Sequence, residues 1–394
     1  MADVIHLMRP GTLQLPALPP LALYVHLPWC LRKCPYCDFN SHEVKDGALA
    51  VDMAEAYLAA LRADLEAALP LIWGRHVISV FIGGGTPSLF NPEQIAQLIS
   101  DLRARLPLEP GCEITLEANP GTFERERFKG FRRAGVTRLS VGVQSFDDAQ
   151  LQKLGRVHSA TQAREALAEA AAAFDTFNLD LMYALPGQTL DDLAHELDTA
   201  LSFKPPHLSI YHLTIEPNTV FATRTPADLP DPDLASDMLD LINARTGSAG
   251  LARYEVSAFA REGHRCVHNL NYWQFGDYLG IGAGAHSKLS FPNRVLRQVR
   301  WREPAAFMAQ PNKVSNENEV ARKDLPFEFM LNALRLKEGV TLTQFLERTG
   351  LPLSAIAAGL ETARSRGLLT PNPARIQPTE RGFDFLSDLQ QLFL

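Results

Sequence analysis

Long apolar runs are missing from this chain, and no stretch approaches the roughly 20 residues that a membrane-crossing helix needs. An excess of positive charge is missing too. With 38 Lys and Arg against 45 Asp and Glu, the 394-residue chain carries a net charge of −7. That balance argues against broad phosphate-backbone binding as the main activity. Cysteine is scarce, at five residues, too few to staple a protein of this length with disulfides. The first 20 residues hold one arginine and several prolines, without an apolar segment that ends in a small-residue cleavage site. A non-secreted, cytoplasmic protein with reduced thiols is therefore expected. What is present is ordinary for a globular chain with a large core: 46% hydrophobic and 21% charged residues, enough for one main domain and a smaller one.

Scarce as they are, the cysteines cluster. Three of the five fall within eight residues, Cys30-Leu-Arg-Lys-Cys34-Pro-Tyr36-Cys37, just after the apolar run Leu21–Leu27. Thiolates are the soft ligands that select iron–sulfur clusters, zinc or Cu(I). Zinc closes its site with a fourth ligand, and clusters usually take four cysteines. The remaining two, Cys112 and Cys266, lie far along the chain. Asp38 and His42 would complete a zinc site. Three thiolates with an open fourth corner suit a cluster that binds something at its free iron. Cys112 reads as a buried strand cysteine.

Residues 1–20 read as a loose arm, because Pro16, Pro19 and Pro20 block regular structure. Short β-like runs then alternate with Ala- and Leu-rich amphipathic segments. The strand candidates are Leu21–Leu27, Val77–Ile82, Glu113–Glu117, Arg138–Val143, Phe177–Met182 and His207–Tyr211. Helical patterns fall near Val51–Ala68, Pro92–Leu106, Phe123–Ala134, Thr161–Phe174 and Thr189–Leu201. Such alternation implies βαβ crossovers and a parallel sheet. About six units are too few for a closed eight-stranded barrel, which leaves an open, partial barrel or a doubly wound sheet. Polar or glycine-rich punctuation follows the strands: the cysteine loop, Gly83-Gly84-Gly85-Thr86-Pro87, Glu117-Ala118-Asn119-Pro120, Gly142-Val143-Gln144-Ser145, Asp180 and Tyr211-His212. On a βα barrel these would share one rim and build a single site.

Each of these residues also has a plain structural reading. Three glycines are a tight βα turn, and they lack both the lysine of a P-loop and Rossmann spacing. Beside a cluster ligand, however, a backbone without side chains can come close enough to accept from an amino group. Glu117 and Asp180 end apolar strands, where a carboxylate is costly unless paired or solvated; otherwise they are caps or rim charges. Gln144 and Arg156 are surface residues or, for the cation, a partner for a ligand carboxylate.

The Cys-x3-Cys-x2-Cys spacing, with Tyr36 before the last cysteine, resembles the signature of radical S-adenosylmethionine (SAM) proteins. The resemblance implies a [4Fe–4S] cluster held by Cys30, Cys34 and Cys37, with SAM chelating the fourth iron and an electron donor reducing the cluster. A narrower resemblance, to the oxygen-independent coproporphyrinogen III oxidase family, rests on Tyr24-Val-His26-Leu-Pro28, Gly-Gly-Gly-Thr86-Pro, Gly-Val-Gln144-Ser-Phe-Asp147, Leu-Asp180-Leu-Met-Tyr-Ala-Leu-Pro186-Gly-Gln and Tyr278-Leu-Gly-Ile-Gly-Ala-Gly-Ala-His286-Ser. It implies that Tyr24, Tyr36, Gly84, Gly85, Thr86, Glu117, Gln144, Arg156 and Asp180 contact SAM or the cluster. It also implies an α/β fold, a partial (β/α)6 TIM-like barrel spanning 21–290. A connecting segment, 291–324, would lead to a C-terminal winged-helix-like helical domain, 325–394.

Within that family the chain is similar to the haem-chaperone subgroup rather than to the oxidases themselves. Oxidases have a further cysteine two residues after the third ligand, where this chain has Phe39, and a longer segment before the cluster, where it has 29 residues. His268-Asn-Leu-Asn-Tyr272-Trp273 resembles the chaperones' haem motif. The subgroup implies haem as cargo, His268 as its axial ligand, and delivery to apo-haemoproteins such as membrane respiratory enzymes. Cluster and SAM would then regulate dimerisation or release, without coproporphyrinogen oxidase activity. Imidazole is a standard haem ligand, and Tyr272 and Trp273 would stack on the ring. Cys266 is a rival ligand, and a histidine beside aromatics is also often structural. The alternative function is the oxidase reaction, decarboxylation of coproporphyrinogen III to protoporphyrinogen IX. A radical SAM enzyme acting on RNA finds no support in so acidic a chain.

From Leu325 the pattern changes to helices, near Phe327–Leu336, Thr341–Glu347 and Pro352–Arg366. A small hairpin through Gly367-Leu-Leu-Thr and Ala374-Arg-Ile-Gln-Pro-Thr follows, and then a last helix from Thr379. This resembles a winged helix, a module that often enters the DNA major groove. Its second helix offers only Arg364 and Arg366 near its end, so a lid or partner-docking role is expected, with no nucleic-acid partner. Duplex DNA should show no tight binding at physiological salt in a gel-shift titration; a salt-dependent complex there would overturn this reading.

Overall fold

The computed structural model describes residues 13–44, 47–121 and 124–394. The expected arm therefore lies outside the described residues up to residue 12, as does Phe123, the expected first residue of a helix. All six expected strands form: β1 (Leu21–Leu27), β2 (Val77–Gly84), β3 (Leu108–Ala118), β4 (Arg138–Gln144), β5 (Phe177–Tyr183) and β6 (His207–His212). Between them run α1 (Val51–Ala68), α2 (Pro92–Arg105), α3 (Glu124–Ala134), α4 (Ala160–Ala173) and α5 (Leu190–Ser202), and α6 (Pro232–Ser248) follows β6. Sequence sets the helix starts. Asn91 with Gln94, Ser159 with Gln162 and Thr189 with Asp192 each form a reciprocal capping box, which satisfies otherwise orphaned amides. Pro92 is pre-organised for the first turn of α2. These caps fix where the loops before α2, α4 and α5 end.

Sequential strands β1 to β6 pair in parallel, neighbour to neighbour. One face of each is apolar. Val25, Ile82, Leu116, Val141, Leu179 and Leu208 all join the core beneath the helices. The other face carries Tyr24, Ser79, Glu117, Ser140, Asn178 and His207. A doubly wound sheet would bury both faces against helices and read as continuous apolar strands. Here side chains from the ends of β2 through β6 line one common cavity, so the sheet curls around its polar face as a partial barrel.

The sheet is wider than expected. Its twelve strands include β7 (Ala252–Arg253) and β8 (Ala258–Ala260), with β8 antiparallel to β6. On the far side β9 (Asp277–Ile281) is a seventh parallel strand, paired with β1 opposite β2. Antiparallel β10 (His286–Phe291), β11 (Arg294–Arg300) and β12 (Val314–Glu319) extend that edge. Residues 291–324, expected as a connecting segment, thus contain the edge strands β11 and β12 with a short helix, Pro304–Ala309, between them. The physical reason is that β9 has only five residues and follows a short helix, α7 (Val267–Trp273). Neither shows a period of useful length.

Residues 13–20 lack regular structure but are not loose. Leu13 and Leu15 are buried, and the Leu15 amide donates to Pro292 O at 2.9 Å. They join a second core with α8 (Leu325–Ala333), α9 (Leu342–Thr349) and α10 (Ala357–Ser365). That core also takes Phe275 and Val295 from the sheet side, so the C-terminal module is packed on the barrel. Strand β13 (Val340–Thr341) pairs with β14 (Arg375–Ile376), and Leu369 bridges Pro378 to form the wing. Two short helices, α11 (Glu380–Asp384) and α12 (Leu386–Gln391), close the chain. The single helix expected over 352–366 is split, because Ile356 leaves helical geometry after a 3-10 turn at Leu353–Ala355.

Asp277 locks β9 in place. It is fully buried, 2.8 Å from Arg75 Nη1 and 3.0 Å from Lys288 Nζ, and it accepts from Ser290 N and Oγ at 2.7 Å. Burial pushes its carboxyl up, but Lys288, Arg75 and Ser290 outweigh burial and hold it below its ordinary value. This contribution is complete above the ordinary carboxylate range and is lost on acidification through the lower folded value. Asp277→Ala, which leaves Lys288 buried without a counter-charge, should cost about 3–5 kcal/mol in chemical denaturation at neutral pH. A wild-type midpoint would refute that role.

Candidate functional site

The cavity, about 420 Å³, opens at the C-terminal ends of the strands. Backbone bonds tie its two main loops together: Gly85 N donates to Leu27 O at 2.8 Å and Thr86 N to Trp29 O at 2.7 Å. Only glycine fits this junction. A Cβ on Gly85 would lie 2.6 Å from Trp29 O, and Gly84, at φ +121°, would drive one into the His26 ring at 2.7 Å.

Cys30, Cys34 and Cys37 all line the cavity, and each sulfur has a polar neighbour. Thr86 Oγ1 donates to Cys30 Sγ at 3.5 Å, Arg156 Nη1 to Cys34 Sγ at 3.4 Å, and Ser41 Oγ lies 3.9 Å from Cys37 Sγ. Burial pushes the Cys30 and Cys37 thiols up. Among the described residues, no three His, Cys, Asp or Glu side chains converge as a single-ion site. His42, a candidate zinc ligand with Asp38, faces Glu303 at 3.9 Å. Three thiols lining one cavity could hold a four-iron cluster with three cysteine ligands. Hydrogen bonds to its sulfurs would tune its potential.

Beside the thiols the cavity carries opposite charges. Glu117 and Asp180 come from β3 and β5, and both line it. Glu117 accepts from Gly84 N at 3.1 Å. Asp180 accepts from Asn178 Nδ2 at 2.7 Å and Ser140 Oγ at 3.4 Å. Desolvation, then the Asp180 charge, pushes Glu117 up to about 8. Desolvation likewise raises Asp180 to about 6 against its hydrogen bonds. Arg156 reaches in from the far side, with Nη2 on Asn119 Oδ1 at 2.6 Å and on Gly142 O at 2.8 Å. Its Nε is buried without a partner. A ligand with a cationic centre and a carboxylate, as SAM has, matches this pairing of carboxylates with a guanidinium.

Gln144 sits where β4 breaks register with β5, at φ +72°. Such geometry costs roughly 1–3 kcal/mol for a non-glycine residue and gathers at functional sites; here it accompanies a side chain that lines the cavity. Tyr36 lines it too, its ring 6.4 Å from Phe221.

Two expected site residues are placed elsewhere. Tyr24 does not line the cavity. Its hydroxyl meets His26 Nδ1 at 3.0 Å, and its ring stacks on Phe81 below the rim. His268, on α7, is 8% exposed, inside the base of the barrel. Its Nδ1 lies 3.2 Å from Ser79 Oγ, and its ring packs on Phe81 at 5.0 Å. Ser79 lies five residues before Gly84 on β2, roughly 16 Å down the strand. The α7 amides of Val267 and His268 donate to Glu113 Oε1 at 2.9 and 3.4 Å, which pins this helix across the base. Nor are Tyr272 and Trp273 a free stacking face: Tyr272 packs on Tyr278, and Arg335 lies over the Trp273 ring at 4.2 Å.

Asn119 is the site residue that sequence reasoning passed over. Its Nδ2 donates to Thr86 Oγ1 at 2.8 Å while its Oδ1 receives Arg156, completing an arc from Cys30 to Cys34. The available signal was its place directly after β3, two residues beyond Glu117.

The profile of the Radical SAM superfamily matches residues 24–200, and that of the HemN C-terminal domain matches 320–385. A haem chaperone HemW from Haemophilus influenzae is 46% identical over 382 residues, covering 96% of this chain and 99% of that protein. One from Escherichia coli K12 is 46% identical over 379 residues, again 96% and 99%. The structure of the E. coli coproporphyrinogen III oxidase HemN, described as a radical SAM enzyme, superposes with a TM-score of 0.80 at 25% identity. It covers 95% of this chain and 90% of that one.

A positively charged ligand favours ionised carboxylates, so SAM affinity should rise with pH as Asp180 and then Glu117 deprotonate, by up to roughly tenfold per unit. Calorimetry between pH 6 and 8.5 checks this. Glu117→Gln should flatten the upper part of the rise, and a flat wild-type profile would show that the pair does not face the cation.

Proposed function

This chain belongs to the HemW family of the radical SAM superfamily, and on that premise we propose that it is a haem chaperone, binding haem and passing it to apo-haemoproteins such as membrane respiratory enzymes. Cys30, Cys34 and Cys37 hold a [4Fe–4S] cluster. Glu117, Asp180, Gln144, Arg156, Gly84, Gly85 and Thr86 would hold SAM beside the cluster. When bound, the reduced cluster supplies an electron that can cleave SAM. The residues of this chain do the positioning: Thr86 and Arg156 fix two sulfurs, Arg156 also receives the SAM carboxylate, and Glu117 and Asp180 face its cationic part. Tyr36 helps to close the cavity, and Tyr24 supports the rim from beneath through His26. An external electron donor, a cytoplasmic location and a homodimer whose assembly responds to SAM complete the proposal.

The observation that carries this reading is the end-to-end correspondence with haem chaperones, at 46% identity over 96% of the chain. Phe39 supports it. The side chain is 63% exposed and lines the cavity, at the place where the oxidases resembled have a further cysteine. Ligation of haem by His268, which the motif implies, requires α7 to leave Ser79, Phe81 and Glu113. Among the described residues no helix is long and apolar enough to cross a membrane, so membrane recipients would be reached through contact.

Anaerobically reconstituted protein given coproporphyrinogen III, SAM and a reductant should form no protoporphyrinogen. The same preparation should bind haem with a Soret band and transfer it to an apo-cytochrome. Robust protoporphyrinogen formation would replace the chaperone reading with the oxidase one.

A further inference from the structure

We propose that His207 is a positioning residue for two sites at once: through Asn178 it orients the Asp180 carboxylate in the cluster cavity, and through Tyr254 it steadies the start of α7, the helix that carries His268. SAM binding then holds α7 against the base of the barrel and opposes its release. This rests on the reading that SAM meets Asp180 and that His268 takes haem. Asn178, His207 and Tyr254 are all buried, and none of them lines the cluster cavity.

The bonds run unbroken from the cavity to the base. Asn178 Nδ2 donates to Asp180 Oδ1 at 2.7 Å and to Ser140 Oγ at 2.8 Å. Its Oδ1 accepts from Ser209 Oγ at 3.0 Å and from His207 Nδ1 at 2.6 Å, so the amide uses its full capacity. A hydrogen on Nδ1 leaves His207 Nε2 as the acceptor for the Tyr254 hydroxyl, 2.9 Å away. Burial, then the nearby Arg138, holds this imidazole well below its ordinary pKa, and the neutral ring supplies one donor and one acceptor. The Tyr254 oxygen in turn accepts from Cys266 N at 3.4 Å, directly before α7. Every link donates towards Asp180.

Hydrogen bonds aligned in one direction polarise and strengthen one another. A cation beside Asp180 keeps that carboxylate ionised, and an ionised acceptor strengthens the donors that serve it. Cys266, the N-cap of α7, makes no side-chain cap, so the first amides of the helix depend on Tyr254 and Glu113. Glu113 is bonded to this helix and faces Arg138 at 3.7 Å, whereas the Tyr254 contact leads on to the cavity. That contact, at 3.4 Å, is the longest link between Asp180 and α7, and a shift of α7 would break it first. Haem ligation by His268 requires such a shift. Two ligands that favour opposite positions of one helix weaken each other by the same factor.

Cluster-loaded, full-length wild type, Tyr254→Phe, His207→Asn and His207→Ala would be compared by amide hydrogen exchange with and without SAM, and by SAM calorimetry with and without haem. In wild type, SAM should slow exchange over residues 264–270 several-fold, and haem should weaken SAM binding several-fold. Tyr254→Phe keeps the ring and loses the hydroxyl. It should still bind SAM, yet show neither the α7 protection nor the haem effect. His207→Asn retains a donor for Asn178 and should hold SAM more tightly than His207→Ala. A residue that only packs would lower stability without altering how α7 responds to SAM. Protection of α7 that persists in folded Tyr254→Phe would overturn the proposal, as would wild type that binds SAM with no change in α7. Protection without haem uptake would remove the carrier reading and support the shared positioning role.

Discussion

A single hydrogen-bonded arc holds the cluster cavity together. It runs from Cys30 through Thr86 and Asn119 to Arg156 and Cys34. Its members come from the loop after β1, the turn after β2, the end of β3 and the segment beyond β4. Each link uses a donor on one element and an acceptor on another, so no loop can shift without leaving a partly buried polar group unpaired. The glycine junction at Gly84–Gly85 is the steric side of the same constraint, because it lets two loop backbones approach closely enough for the arc to close. Where Cys30, Cys34 and Cys37 point is thus decided by strands that contribute no cysteine to the cavity.

The cavity is electrostatically divided. Its buried carboxylates, Glu117 and Asp180, lie on β3 and β5, and the Arg156 guanidinium bridges the thiol loop to Asn119. Buried as Glu117, Asp180 and Arg156 are, these charges interact more strongly than they would at the surface. Desolvation raises both carboxyl pKa values, for Glu117 with the Asp180 charge added, and a cationic ligand would relieve this. A ligand carboxylate would meet Arg156 at Nε, since its other nitrogens already serve a sulfur, an amide oxygen and a backbone carbonyl.

Sequence showed the rim well because barrel chemistry is local. The cysteine spacing, the glycine turn, Glu117, Gln144 and Asp180 each directly end or follow a strand, so finding the strands placed them. It showed less of what depends on distant pairing. Strand β9 is short and needs β1 beside it to exist, and β11 and β12 form only when β10 offers an edge. Tyr24 and His268 are two such cases. Tyr24 shares the polar face with Glu117 but lies deeper, against Phe81 and His268, and a helix laid across the base can turn a motif histidine inward. Asn119 was legible as punctuation, but its function lies in partners 33 and 37 residues away in sequence.

An open sheet of twelve strands has two edges, and unpaired edges invite intermolecular β-pairing. Here both are poor templates. One edge is β7, only two residues long. The other is β12, Val314-Ser-Asn-Glu-Asn-Glu319, whose last five side chains are solvent-exposed and include two carboxylates. A second chain adding to β12 would have to align its own strand against that row of charge and amide. The barrel can therefore stay open along its flank, as a carrier of a large flat cargo needs, without becoming a seed for aggregation.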